Sequence, residues 1–411
     1  MKCKVEFSSY KALHITHNDS DGIGCGLVTH YLEEHNSKFP WIDTKHPFTT
    51  DTTEFMSIPT AVKTITSLLR TFIDILNGKD IEELDKDIIE KYVFIDDIYT
   101  EGYGLATLPS VIYISDLPLN DELIQLVNMY LEAPTKLIIG DIWQRLIWFD
   151  HHTSTKKYTD SKYDITDWFI HSEEEYPGEN ISAAELMIKY FKEHSDIYSD
   201  SNPTKASTYV FDVLIPEISR YDTWEWRKNP QSNDSEQCTE WHVQALISAY
   251  KNPYIAFNKI IKCVDSGNAI DDCEEFLLIY NIRNISLQSA IFSAKKNYRL
   301  VKLTDIEPTK FADMDYNVAL MIADSAYGSL VMESIYNSDP DVDIVISIYP
   351  TTKNLSFRCS FKREDIHLDE IAGRIGGGGH SAAAGANVSK ELILNIFDLY
   401  YSTEPANLIK E

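Results

Sequence analysis

Residues 13–26 read Leu-His-Ile-Thr-His-Asn-Asp-Ser-Asp-Gly-Ile-Gly-Cys-Gly. An apolar, β-rich run reaches Thr16 and gives way at once to His17, Asp19 and Asp21. Positions i, i+2 and i+4 of an extended chain point to one side, so one imidazole and two carboxylates are expected to converge. Unit charges about 4 Å apart repel by about 4 kcal/mol at an effective dielectric near 20, and a divalent cation removes that repulsion. Gly22, Gly24 and Gly26 are then expected to open a helix over 27–34, whose N-terminus favours an anion. The plain alternative is a solvated Asn/Asp/Ser/Gly turn between a strand and a helix. The spacing G-x-G-x-G departs from the dinucleotide pattern G-x-G-x-x-G.

Working outward, two further apolar runs end at Ile114 and Phe149, each followed by a polar segment. Helical patterns at 61–76 and 180–193 lie between and after them. Strand–helix alternation predicts a parallel sheet with helices on its faces, and ligands beyond the carboxyl ends of its strands. The third run ends in Asp150-His151-His152. Adjacent histidines on an extended chain point opposite ways, so one is free to ligate a metal while the other faces a substrate or stacks on the protein. Near the other end of the chain, the run Gly376–Gly379 precedes His380 and an alanine-rich stretch. Its backbone N–H groups are expected to turn inward as an anion nest, with His380 donating to the same anion. The alternative is a flexible hairpin tip.

The 411 residues imply two or three domains. With 64 acidic and 37 basic side chains the net charge is −27, which repels long nucleic acid and anionic membrane. The six cysteines are scattered without a C-x-x-C pair, which argues against a disulfide framework or a cysteine zinc site. No signal peptide or apolar stretch approaching about 18 residues is visible, so the cytoplasm is expected. Residues 227–240 read as a polar loop. A helical pattern over 271–296, with Leu278, Ile282, Ile285 and Phe292 on one face and Ser289 interrupting it, reads as the connector between domains. Strand-like runs follow at 318–323, 343–349 and 354–361, with a helix at 328–336 between the first two. Residues 41–92 read as helical filler, with the acidic stretch 82–90 a solvated helix face. Trp143, Trp148, Trp224 and Trp226 read as packing around strand ends. No role is assigned to His14, His30, His35, His46, His171, His194, His242 or His367.

Together the three motifs resemble the DHH-family phosphoesterases that carry a C-terminal DHH-associated domain. The resemblance runs from about residue 13 to about residue 390, and within the family it is similar to the nano-RNases. It implies an α/β protein: a parallel-sheet catalytic domain with flanking helices over 1–270, a helical linker over 271–297, and a smaller α/β domain over 298–411. The active site is implied in the cleft between them. Two more aspartate ligands at strand ends are also implied. Asp116 fits as the bridging one, with Asp96 or Asp97 as the competitor, and Asp222 fits as the last. His17, Asp19 and Asp116 would hold one metal; Asp21, His151, Asp222 and a shared Asp116 the other. Oxygen-rich ligation with imidazole suits two Mn²⁺ ions, and Mg²⁺ or Co²⁺ also fit. Asp150 would orient a histidine and His152 would contact the scissile phosphate.

In residues 355–362 apolar Leu355, Phe357, Cys359 and Phe361 alternate with Ser356, Arg358, Ser360 and Lys362, the pattern of a half-buried strand. It reads as a phosphate-binding strand with Arg358 as a bidentate partner near Gly377, Gly378, Gly379 and His380, or as an edge strand protected by charge. The function implied is metal-dependent hydrolysis of very short oligoribonucleotides to mononucleotides. Alternatives are a 3′-phosphoadenosine 5′-phosphate phosphatase, a linear or cyclic dinucleotide phosphodiesterase, or a catalytically silent nucleotide-binding protein. A family-II pyrophosphatase disagrees with the GGGGH module, and a processive single-strand DNA exonuclease with the charge. The expected partner is a short oligonucleotide or dinucleotide, with no long nucleic acid and no membrane; a homodimer is compatible with the sequence.

Overall fold

The computed structural model describes residues 3–34, 53–100, 103–133, 145–152, 154–159, 165, 167–194, 204–223, 225, 239–322, 327–360, 362–363 and 365–406, some of them by backbone alone. The chain separates into two compact units, Met1–Leu277 and Leu278–Glu411. The division falls inside the helix Glu274–Asn297.

The first unit is built on β1 (Cys3–His17), β2 (Thr53–Met56), β3 (Phe94–Thr100), β4 (Tyr103–Ser115), β5 (Arg145–Asp150) and β6 (Phe169–His171). Five run parallel in the order β2-β1-β4-β5-β6, while β3 lies antiparallel on β4. Both faces of the sheet are covered, which is why Val111–Ser115 is an unbroken buried run rather than an alternating one. On one side Ile112, Ile114 and Trp148 pack with the helices Ile58–Leu76 and Asp121–Leu131. On the other, Tyr113 and Phe149 meet Phe191 of the helix Ala183–His194 edge-on or tilted. Residues 53–92 are not merely helical filler, since β2 adds an edge strand beside β1. Residues 41–52 of that segment, residues 227–238 of the expected loop, and Trp143, Trp224 and Trp226 lie outside the described residues. Trp148 is buried as expected.

The helix after β1 begins at Ser20, not at Leu27. The three glycines are therefore inside it. A Cβ on Gly22 would fall 1.9 Å from the His17 carbonyl oxygen, and one on Gly24 would fall 3.0 Å from the Ala184 methyl. They let this helix lie against the chain that feeds it and against the helix Ala183–His194. They do not form a separate anion-binding loop.

The second unit holds β7 (Arg299–Lys302), β8 (Asn317–Ile322), β9 (Ile344–Tyr349), β10 (Asn354–Arg358), β11 (Gly378–His380) and β12 (Ala383–Asn387), in the order β11-β12-β10-β9-β8-β7. The parallel β8–β9 pair is joined through the helix Gly328–Tyr336; the other pairs are antiparallel. Leu355 and Phe357 face a core with Ile346, Ile371 and Ile396. β10 lies between β12 and β9, so it is an interior strand and not an edge.

The glycine run is not an open nest. Gly376 has a positive φ of 84°, and the Gly377 N–H reaches back 2.8 Å to the Ala372 carbonyl, ending the helix Leu368–Gly373. Gly378 and Gly379 then pair with β12, where a Cβ on Gly379 would strike Ala383 and Ala384 backbone atoms at 2.6 Å.

Candidate metal centre

Parallel pairing brings the carboxyl ends of β1, β4 and β5 to one edge of the sheet, with Thr16 opposite Ser115 and Ser115 opposite Phe149. His17, Asp116 and Asp150 therefore emerge side by side. Asp116 follows β4 with a left-handed φ of 54°, which an aspartate tolerates better than a bulky residue. Its N–H donates to the Phe149 carbonyl (3.0 Å), and the Trp148 indole N–H donates to the Leu117 carbonyl (2.8 Å), so the turn is pinned from both sides.

Three overlapping groups have ligand atoms within 4.8 Å of one another: His17, Asp19 and Asp116; Asp21, His151 and Asp222; and Asp116, His151 and His152. His17 Nδ1 lies 2.7 Å from Asp19 Oδ2 and 3.6 Å from Asp116 Oδ2. His151 Nε2 lies 3.4 Å from Asp116 Oδ1, 3.3 Å from Asp222 Oδ2 and 3.9 Å from Asp21 Oδ2. The convergence does not come from an extended chain, as the spacing suggested. Asp19 caps the helix that starts at Ser20, accepting the Gly22 N–H at 3.0 Å, and Asp21 sits in its first turn. Asp222 ends the helix Ile215–Asp222 rather than a strand. Nor do His151 and His152 diverge: β5 stops at Asp150, and the two rings lie 4.6 Å apart.

The electrostatics of this cage call for a cation. Burial, then the charges of Asp19 and Asp21, push the Asp116 carboxyl well above the usual range; burial does the same to Asp222 and also raises Asp21. Asp19 goes the other way: burial would raise it, but the His17 imidazole holds it down at about 2. Burial would lower His17, yet the neighbouring Asp116 and Asp19 carboxylates raise it to about 10. Among the described residues, Asp116 Oδ2, His151 Nε2 and Asp222 Oδ2 are buried without a hydrogen-bond partner. Polar atoms are seldom left so. Buried orphans of the oxygen and imidazole type, turned toward one another, fit hard-to-borderline divalent ions.

Asp150 is spoken for otherwise. It accepts the backbone N–H of His151 (2.9 Å) and of His152 (3.3 Å), the Thr155 hydroxyl, and His152 Nδ1 (2.6 Å). Burial would raise its carboxyl, but the His152 bond keeps it below the usual range. Two histidines that the sequence left without a role lie close by. His171 Nδ1 accepts the Glu173 N–H, so Nε2 carries the proton that meets the His152 carbonyl at 3.1 Å. His14 is buried beneath the cage, joined to Thr29 (3.1 Å) and Ser115 (2.7 Å), and burial lowers its pKa to about 3. The signal available for both was their place in or at the end of a sheet strand beside a ligand-bearing one.

The competitors Asp96 and Asp97 lie on β3, where Asp96 pairs with Leu105. From Leu105 to Asp116 is about 36 Å along β4 at about 3.3 Å per residue. The side chains of Asp96 and Asp97 lie outside the described ones, as does that of His380.

In the second unit, Arg358 Nη1 donates to the Phe357 carbonyl (2.8 Å) and the Ser356 hydroxyl (3.3 Å), and Nη2 to the Ser329 hydroxyl (3.0 Å), while Nε has no partner among the described residues. It lines a cavity of about 830 Å³ with Tyr349, Asn354, Gly385 and Asn387. Ala383 is the register partner of both Arg358 and His380, which places these two residues two strands apart on one row.

No family model matches the sequence. Oligoribonuclease NrnB of Bacillus subtilis (strain 168) is 24% identical over 283 residues, 68% of this chain and 60% of that protein. The chain thus spans three-fifths of that relative's length. Among solved structures, the DHH domain of a member of a family of ribosomal proteins aligns with a TM-score of 0.55 at 11% identity, over 96% of this chain and 88% of that one. RecJ of Thermus thermophilus in complex with Mn²⁺ aligns at 0.47 and 10% identity, over 96% of this chain and 53% of that one. In its DHH-domain fold and in the order of its motifs, the chain is similar to the DHH-family phosphoesterases.

Proposed function

We propose that the chain is a metal-dependent phosphodiesterase that hydrolyses very short oligoribonucleotides to mononucleotides through a dinuclear centre. The observation that carries this is the shared cage, in which Asp116 and His151 each belong to two groups of ligand atoms. In this reading His17, Asp19 and Asp116 hold one ion, and Asp21, His151, Asp222 and Asp116 the other, most naturally Mn²⁺. Two bound dications would balance four carboxylates and supply Lewis acidity toward the phosphate and a water.

The chain's own residues do the rest. Asp150, fixed by two backbone N–H groups and Thr155, holds the proton of His152 at Nδ1. Burial would lower the His152 pKa, but Asp150 raises it, so a second proton is favoured at Nε2, where it can be given to a phosphate oxygen. His171 and Thr155 hold the backbone of this histidine in place. Arg358, bonded to neutral groups and with its Nε unpaired among the described residues, is the anion-binding group of the second unit, and Gly377, Gly378, Gly379 and His380 border the substrate there. Gly377 does so without its N–H, which is taken by Ala372.

The oligoribonuclease similarity supports the substrate class, and the charge of −27 supports short over long RNA. Among the described residues Cys25, Cys263, Cys273 and Cys359 are free thiols, in keeping with the cytoplasm; Cys238 lies outside the described residues. Among the described residues no helix is long and apolar enough to cross a membrane. The deciding experiment is hydrolysis of end-labelled oligoribonucleotides, from dinucleotides to lengths of about twenty, with Mn²⁺ or with EDTA. Turnover of the shortest species only, abolished by EDTA, is expected. Failure to cleave any short oligomer would overturn the reading.

A further inference from the structure

The helix Glu274–Asn297 is apolar on two opposite sides. Leu287, Ala290, Ile291 and Ala294 pack against a core with Tyr298, Met321 and Val331. At 3.6 residues per turn, Leu278, Ile282, Ile285 and Phe292 fall on the other side. They are 60, 57, 71 and 55% exposed. A helix with one packed face ordinarily turns polar residues outward. Here the outward positions 278, 282, 285, 289 and 292 follow the alternating four- and three-residue steps of a helix–helix seam, with Ser289 the one polar member. Large apolar side chains grouped in this way mark an interaction surface.

The charges at the ends of the seam say what covers it. Glu274 lies at its N-terminal end and Lys296 at its C-terminal end, both exposed. Ile285 is the midpoint between Glu274 and Lys296, and also between Leu278 and Phe292. We infer that this helix pairs antiparallel with the same helix of a second copy of the chain, around a two-fold axis at Ile285. Leu278 then lies level with Phe292 of the other copy, Ile285 meets Ile285, and Ile282 has room beside the small Ser289. Glu274 meets the opposite charge of Lys296 twice. A parallel pair would instead set Glu274 beside Glu274 and Lys296 beside Lys296, which is repulsive. A two-fold interface must be self-complementary in this manner.

Sedimentation velocity of the full chain over a dilution series tests the inference. The wild type is expected at twice the chain mass. Ile285→Glu puts two carboxylates together at the axis and is expected to sediment as a monomer with unchanged circular dichroism, because the position is exposed. Glu274→Lys is expected to weaken the dimer about fivefold, within the range for an exposed ion pair, and the double variant Glu274→Lys/Lys296→Glu to restore it. A monomeric wild type overturns the inference, including one that binds a different protein through this face. So does a dimer that survives Ile285→Glu, or a double variant no tighter than the single one.

Discussion

The carboxylate of Asp21 accepts the backbone N–H of Ala183 at 2.9 Å, and its other oxygen accepts that of Ala184 at 3.2 Å. One side chain thus faces the metal cage and closes the first turn of the helix Ala183–His194. Asp21→Ala removes both roles, whereas Asp21→Asn keeps an acceptor for the helix. In EDTA, Asp21→Ala is expected to be about 1 kcal/mol less stable than Asp21→Asn, the usual worth of a helix cap. Equal denaturation midpoints would contradict the capping role.

The contribution of Asp116, Asp222 and Asp21 to the stability of the metal-free chain should fall with rising pH. Burial raises the carboxyls of Asp116, Asp222 and Asp21 above their unfolded values. Groups raised on folding hold their protons more tightly in the fold. Their contribution is complete below the ordinary carboxylate range, near about 4, and is lost as pH rises through the raised values. A divalent ion held by these carboxylates, as proposed, would replace those protons. The gain in melting temperature on adding Mn²⁺ is therefore expected to grow between about pH 5 and about pH 8. A gain that does not change with pH would argue against a carboxylate cage.

In the proposed mechanism Asp150 acts through His152. Asp150→Asn preserves shape but removes the charge that His152 Nδ1 meets at 2.6 Å. The expected result is a fall of about 100-fold in kcat with metal content intact, and about tenfold for Thr155→Val. Loss of bound metal in Asp150→Asn, measured by elemental analysis, would make Asp150 a ligand instead.

Arg358→Ala is expected to raise KM about tenfold on a dinucleotide while leaving kcat near the wild-type value. A fall in kcat alone would remove this residue from substrate binding.

Gly22 tests the geometry from another direction. Gly22→Ala places a methyl where the His17 carbonyl already lies, at 1.9 Å. A loss of about 3 kcal/mol together with weakened metal binding is expected, because relief requires moving His17 or Asp19. Wild-type stability in this variant would mean that the turn is looser than described.

The strand ends at β1, β4 and β5 were legible because apolar runs stop abruptly at ligand-type residues, and each strand ends one residue past its expected end. The helix at Ser20 was not. Glycines at positions 22, 24 and 26 disfavour a helix locally, and only distant neighbours explain them: Ala184 against Gly24, Phe55 and Phe257 against Gly26. His14 and His171 were passed over for the same reason, since their partners Ser115 and His152 come from other strands or segments. The glycine run looked like a nest because composition reports freedom of the backbone but not which carbonyl its N–H groups find.

Because the candidate cage draws on residues as far apart as His17 and Asp222, a nascent chain emerging from the ribosome would lack the proposed ligand set until roughly its first two hundred residues are out and the parallel sheet has formed. Long-range parallel pairing is slow. On the proposed reading, metal loading would follow late in maturation: a fragment truncated before the helix Ile215–Asp222 should collapse without a complete ligand set, and supplementing the ion should not speed its earlier steps.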